Sequence, residues 1–149
     1  MERVMDDIDF GVCEGLSRGD RLLLRTLRLL ALQTACHSQK RQFEAACGLG
    51  GQEAYRTLAI FVEQLRLSGQ RRIALSVPMA RTLTGDEAAI LSAFAAAQND
   101  DYRELDARLA DLTAAQPSAS LGGAVCLVAQ VFAMQGLAIS AEGPRRAAA

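Results

Sequence analysis

The chain has 149 residues, half of them hydrophobic (50 %), with 22 % charged residues and a formal net charge of -1. This excludes an intrinsically disordered composition, and a charge so near zero gives no case for binding nucleic acid or an anionic membrane. The length suits one domain that buries a core without needing disulfide or metal staples. Trp is absent and aromatic residues are only 5 %, so the core is expected to be built from Leu, Ala, Val and Ile.

Residues 1–15 read as an acidic, poorly ordered leader with Asp6, Asp7, Asp9 and Glu14, punctuated by Gly11 and Gly15. They resemble neither a secretory signal nor a transit peptide, so a cytoplasmic setting with reduced cysteines is expected. Residues 16–140 read as a single helical domain, and 141–149 as a frayed tail.

Asp20 can cap a helix over 21–36, in which Leu23, Leu27, Leu30 and Thr34 share one face. Leu22, Leu29 and Cys36 form a second apolar line, with Arg18, Arg21, Arg25 and Arg28 on an arc beside it. A helix apolar on two sides is central in its own fold or shared with a partner. Ser38 can start a further short helix, and Gly48, Gly50 and Gly51 end it.

The next helix, 52–68, places Ala54, Leu58, Phe61, Val62 and Leu65 inward. Ile73, Leu75 and Val77 then alternate with Ala74 and Ser76 before Pro78, the one strand-like run in the chain. A lone strand needs a partner, either the leader or a second copy of itself, or else it is an extended loop. Thr84 and Glu87 form a capping box for a helix to Gln98 that buries Ile90, Leu91 and Phe94. After a turn at Asn99-Asp100, the helix over 101–115 buries Tyr102, Leu105, Leu109 and Leu112, and Glu104 pairs with Arg108. Pro117-Ser118 precedes an apolar helix over 120–138 whose inner line is Leu121, Val125, Val128, Phe132 and Gln135. Its Gly, Gln and Ala content favours a core helix over a membrane span.

Few residues suggest chemistry. Cys36, His37 and Cys47 are the only soft-ligand cluster, and Cys13 and Cys126 would have to complete a metal site. On one continuous helix Cys36 and Cys47 would stand about 16 Å apart, so they converge only if the chain turns near Ser38. Buried, unreactive thiols are the simpler reading of Cys36, Cys47 and Cys126. His37 follows Cys36 directly, which makes the two a poor nucleophile–base pair on a helix. The glycines around Gly48 follow no strand and lack the Lys and Ser/Thr of a phosphate loop. A helix-turn-helix reading around Asn99-Asp100 fails on charge, because Asp101, Glu104, Asp106 and Asp111 would meet phosphate.

The run GQRRIALSVP, then TGDEAAILSAFAAAQ, then an acidic amphipathic helix resembles a family of small helical alphaproteobacterial proteins. The resemblance covers roughly residues 50–112 and implies a bacterial source; it implies no activity.

The expected fold is all-α, a compact array of about five or six helices with one short extended segment near 71–77. The expected function is that of a non-enzymatic regulatory or adaptor protein, without a cofactor, acting through a helical protein–protein surface. Leu22, Arg25, Arg28, Leu29 and Leu32 are its candidate contact residues, and a homodimer is expected. The alternative is a thiol or metal sensor using Cys36, His37 and Cys47.

Overall fold

The computed structural model describes residues 15–33, 36–68 and 70–140. The expected leader (all but Gly15) and the expected tail lie outside the described residues. Among the described residues six α-helices run in order: α1 Arg18–Ala31, α2 His37–Cys47, α3 Gly51–Ser68, α4 Gly85–Gln98, α5 Tyr102–Thr113 and α6 Ala119–Met134. A single 3-10 turn, Gly48–Gly50, joins α2 to α3. There is no strand among the described residues, so the array is all-α as the sequence pattern requires.

Helix α4 packs against α5 and α6, α3 packs against α6 and α2, and α1 lies across α3 and α4. Leu, Ala, Val and Ile make up most of the core, as the composition suggests, and four phenylalanines are buried among them. Phe43, Phe61, Phe94 and Phe132 are fully buried. Phe61 and Phe94 meet edge to face with centroids 5.4 Å apart, and Phe43 contacts Tyr55 at 5.5 Å and Phe132 at 5.7 Å. A low aromatic content therefore does not keep rings out of the core: all four Phe among the described residues are fully buried. Leu, Val, Ile and Ala fill the space around them.

Helix boundaries follow local chemistry. Helix α1 begins three residues earlier than expected, because Ser17, not Asp20, is its cap. The Ser17 hydroxyl accepts from the Asp20 N–H and the Asp20 carboxylate accepts from the Ser17 N–H, both at 3.0 Å, a reciprocal capping box. Thr84 and Glu87 form the expected second box at the start of α4, at 2.9 and 3.0 Å. Helix α6 stops at Met134, short of the expected 138. There the Gly136 N–H bonds the Ala133 carbonyl and the Leu137 N–H bonds Phe132, with Gly136 at φ +72°.

Gly51 is required by proximity, since a Cβ there would lie 2.5 Å from the Glu44 carbonyl oxygen. Two expected core positions fall outside. Tyr102 is 55 % exposed; it stands one turn before Leu105, the first residue of α5 to reach the core, and its hydroxyl donates to Asp100. Gln135 lies beyond the last turn of α6 and is exposed.

The chain beyond α6 turns back over the start of α1. Ser17 Oγ donates to the Ala138 carbonyl at 2.6 Å, and the Ser140 N–H and hydroxyl donate to the two Asp20 oxygens, each at 3.1 Å. Gln98 holds the same stretch from the other side, donating to Leu137 O and accepting from the Ile139 N–H. No helix among the described residues is long and apolar enough to cross a membrane.

Candidate functional site

The most elaborate polar arrangement is centred on Arg28 and Glu87, which are 2 % and 0 % exposed. Arg28 Nε and Nη2 donate to Glu87 Oε2 and Oε1 at 2.8 and 2.9 Å. The remaining guanidinium donors reach the carbonyls of Pro78, Ala80 and Thr82 at 3.3, 3.1 and 3.0 Å. All five Arg donors are thereby used. Glu87 also accepts the backbone N–H groups of Ser76 at 2.8 Å and Thr84 at 3.0 Å. One buried ion pair thus fixes both limbs of the chain between α3 and α4.

Residues 72–77 run extended within that connection without a partner strand. The Ala74 N–H donates to Asp86 Oδ2 at 2.7 Å, and Asp86 pairs with Arg71 at 2.6 Å. Thr84 Oγ1 donates to the Ala74 carbonyl at 2.6 Å. Alternate N–H groups, those of Ala74 and Ser76, are therefore taken by carboxylates in the first turn of α4. In an extended chain the N–H groups of Ile73, Leu75 and Val77 point the opposite way, and no backbone carbonyl among the described residues receives them. The side chains of Ile73, Leu75 and Val77 line a groove with Leu32, Val62 and Leu65, bordered by Arg28, Arg66 and Ser76. The Arg71 guanidinium holds the Asp86 carboxyl below its ordinary value, with the Ala74 N–H adding to the effect.

On the other side of Arg28 is a second cavity of about 180 Å³. Leu16, Leu24, Leu29, Pro78 and Met79 supply apolar wall, and Arg21, Arg25, Arg28, Cys36, Ser38 and Gln39 supply polar groups. Gln39 is 2 % exposed. Its Nε2 donates to Thr26 Oγ1 at 2.9 Å, and Thr26 gives its own proton to the Leu22 carbonyl at 2.8 Å. Thr26 can then only accept from Gln39, which fixes the amide orientation and leaves Gln39 Oε1 buried without a protein partner. The Gln39 backbone N–H, then the Ser38 hydroxyl 3.8 Å away and the Arg25 charge, bring the Cys36 thiol below its ordinary value.

Cys36, His37 and Cys47 are not brought together. Cys36 is the N-cap of α2, His37 is its exposed first residue, and Cys47 is its last residue, at the opposite end. Cys47 is fully buried, and burial pushes its thiol up to about 11. Burial likewise raises the Cys126 thiol. Cys13 lies outside the described residues. Among the described residues no group of three His, Cys, Asp or Glu is placed to hold a metal.

Of the candidate contact residues, Leu32 is 51 % exposed and lines the groove beside residues 73–77. Leu22 is half-buried against the core, and Leu29 and Arg25 are half-buried along the cavity. Arg28 corrects the expectation of an exposed Arg arc: it turns inward to Glu87. A signal for this was present. Arg28 follows Leu24 by one turn on the buried stripe of α1, and Glu87 stands in register with Ile90, Leu91 and Phe94. A charged residue in phase with an apolar stripe marks a buried partner. Gln39, in a short helix of low amphipathicity, gave no such signal.

Compared with known proteins, the chain matches no family model, no curated protein and no solved structure.

Proposed function

We propose that the chain is a non-enzymatic regulatory or adaptor protein that works through a protein–protein surface and self-associates along residues 73–77. The observation that carries this reading is the one-sided pinning of the extended segment. Asp86 and Glu87 take the N–H groups of Ala74 and Ser76, which leaves the edge of Ile73, Leu75 and Val77 as a ready template for another strand.

A second copy fits that edge by its sequence. Ile-Ala-Leu-Ser-Val alternates large apolar and small residues symmetrically about Leu75. Antiparallel pairing about a twofold axis at Leu75 sets Ile73 against Val77 and Ala74 against Ser76. It also sets Arg72 against Pro78, so no like charges meet. Leu32 and Val77, 51 % and 62 % exposed, would be covered by the same contact.

Sedimentation and hydrogen exchange test this together. Wild-type protein is expected to sediment as a dimer, with the Ile73, Leu75 and Val77 amides gaining protection as concentration rises. Val77→Asp is expected to halve the mass with unchanged helical circular dichroism. A wild type that stays monomeric at high concentration, or a Val77→Asp dimer, rejects the proposal.

A further inference from the structure

We propose that the cavity beside Arg21 and Arg25 is a docking site for the chain's own acidic segment, with the Phe10 ring seated in it and Asp7 and Asp9 against the two arginines. This goes beyond the self-association reading and does not depend on it. Charge is the first argument. Arg21 and Arg25 stand one turn apart on α1 and both line the cavity, whereas no Asp or Glu among the described residues does so. The third arginine of the lining, Arg28, is already paired with Glu87. The segment before Gly15 has the opposite sign, with Glu2, Asp6, Asp7, Asp9 and Glu14 against a single Arg3.

Apolar complementarity is the second argument. Leu24, Leu29, Pro78 and Met79 stand beside the arginines in the lining, and Met79 is 59 % exposed. Acidic and apolar residues alternate in Asp7-Ile8-Asp9-Phe10, which matches a wall of mixed Leu and Arg. A cavity of about 150 Å³ takes one benzene ring, and this one measures about 180 Å³. The third argument is the tether. Leu16 lines the cavity and the adjoining Ser17 is fixed by its bond to Ala138, so the segment joins the helical array at the cavity's own edge. Phe10 precedes Leu16 by six positions, a reach of up to about 20 Å. So short a tether gives an effective concentration of the order of mM, which closes a contact too weak to hold a free peptide.

The full chain has no Trp, so Phe10→Trp supplies a single fluorophore for the test. Its emission is expected to be blue-shifted and shielded from acrylamide, with both effects fading as salt rises. Both are expected to be independent of protein concentration and to persist in Val77→Asp, which separates this proposal from the dimer reading. Asp7→Asn and Asp9→Asn precede the helical array and leave it intact. In the Phe10→Trp chain each is expected to raise the freely quenched fraction about threefold, the worth of one partly exposed ion pair. Arg21→Asp with Arg25→Asp, checked for normal helical circular dichroism, is expected to release the Trp, and adding Asp7→Arg with Asp9→Arg to recapture it. A Trp quenched as freely as in a short peptide overturns the proposal. So does shielding that appears only as concentration rises, which gives the cavity to a second copy. Shielding that survives Asp7→Asn and Asp9→Asn together overturns it as well, because the ring is then seated elsewhere.

Discussion

Arg28 and Glu87 stand 59 residues apart in the chain and meet through two parallel hydrogen bonds, with side chains only 3 % and 0 % exposed. Between them they also accept or donate five backbone contacts to the α3–α4 connection. A pair this deep is valuable to the fold only while it is complete. Removing one partner leaves a buried charge without compensation.

Arg28→Met is therefore expected to cost about 3–5 kcal/mol in urea unfolding, because Glu87 loses its counter-ion in a dry setting. Arg28→Lys is expected to be nearly as damaging. A Lys ammonium has three donors on one nitrogen and cannot reproduce a fork that reaches a carboxylate and three carbonyls. If Arg28→Met unfolds at the wild-type midpoint, the ion pair does not hold the connection.

Asp86 gives a pH dependence with a definite sign. Its carboxyl is held down by Arg71 and the Ala74 N–H, so its folded pKa lies below the unfolded value near 3.8. Its contribution is complete above that unfolded value and is lost as pH falls through the folded one. Arg71 is 38 % exposed, so solvent screens the pair and the amount is under about 1 kcal/mol. Asp86→Asn should lower stability at neutral pH by that amount and converge with wild type in strong acid, as read from denaturation midpoints across the acid range. A constant difference at every pH would assign the loss to the Ala74 contact alone.

Gly19 tests the junction between the start of α1 and the segment after α6. A Cβ at position 19 would lie 2.5 Å from the Ala138 carbonyl oxygen. Gly19→Ala must push the backbone of 137–140 away, although Ala is the better helix former. The expected loss is about 1–3 kcal/mol, the usual cost of overpacking. Stabilisation by Gly19→Ala would show that the segment is not seated there.

Much of the fold was legible in the sequence because its signals are local. The Thr84–Glu87 box, the glycines after Cys47 and the apolar lines of Leu58, Phe61 and Leu65 or Leu105, Leu109 and Leu112 depend on residues within two turns of one another. The extended run at Ile73–Val77 was legible for the same reason. What could not be read was which distant groups would meet. Glu87 carries an ordinary capping signature whether or not Arg28 reaches it, and Asp20 reads as a cap whether or not Ser140 returns to it. The thiol cavity was hidden more deeply. It needs the chain to break between α1 and α2, so that Cys36 becomes a helix cap beside Leu24 and Leu29. As one continuous helix, the same residues would have diverged.

The return of the chain to its own start also has a mechanical meaning. Ser17 and Ala138, 121 positions apart, share a hydrogen bond of 2.6 Å, and Asp20 holds both the N–H and the hydroxyl of Ser140. The ends of the helical array are thus side by side, and the domain is close to a closed ring. A permuted chain joined by a short bridge between residues 15 and 140, and opened at the fully exposed Leu49, keeps every helix intact and should reach the same architecture. Conversely, a load applied at residues 15 and 140 acts first on these polar contacts and on the buried Leu16, Leu137 and Ile139 beside them. The first part of the core to feel that load is therefore the one these three residues share with the phenylalanines.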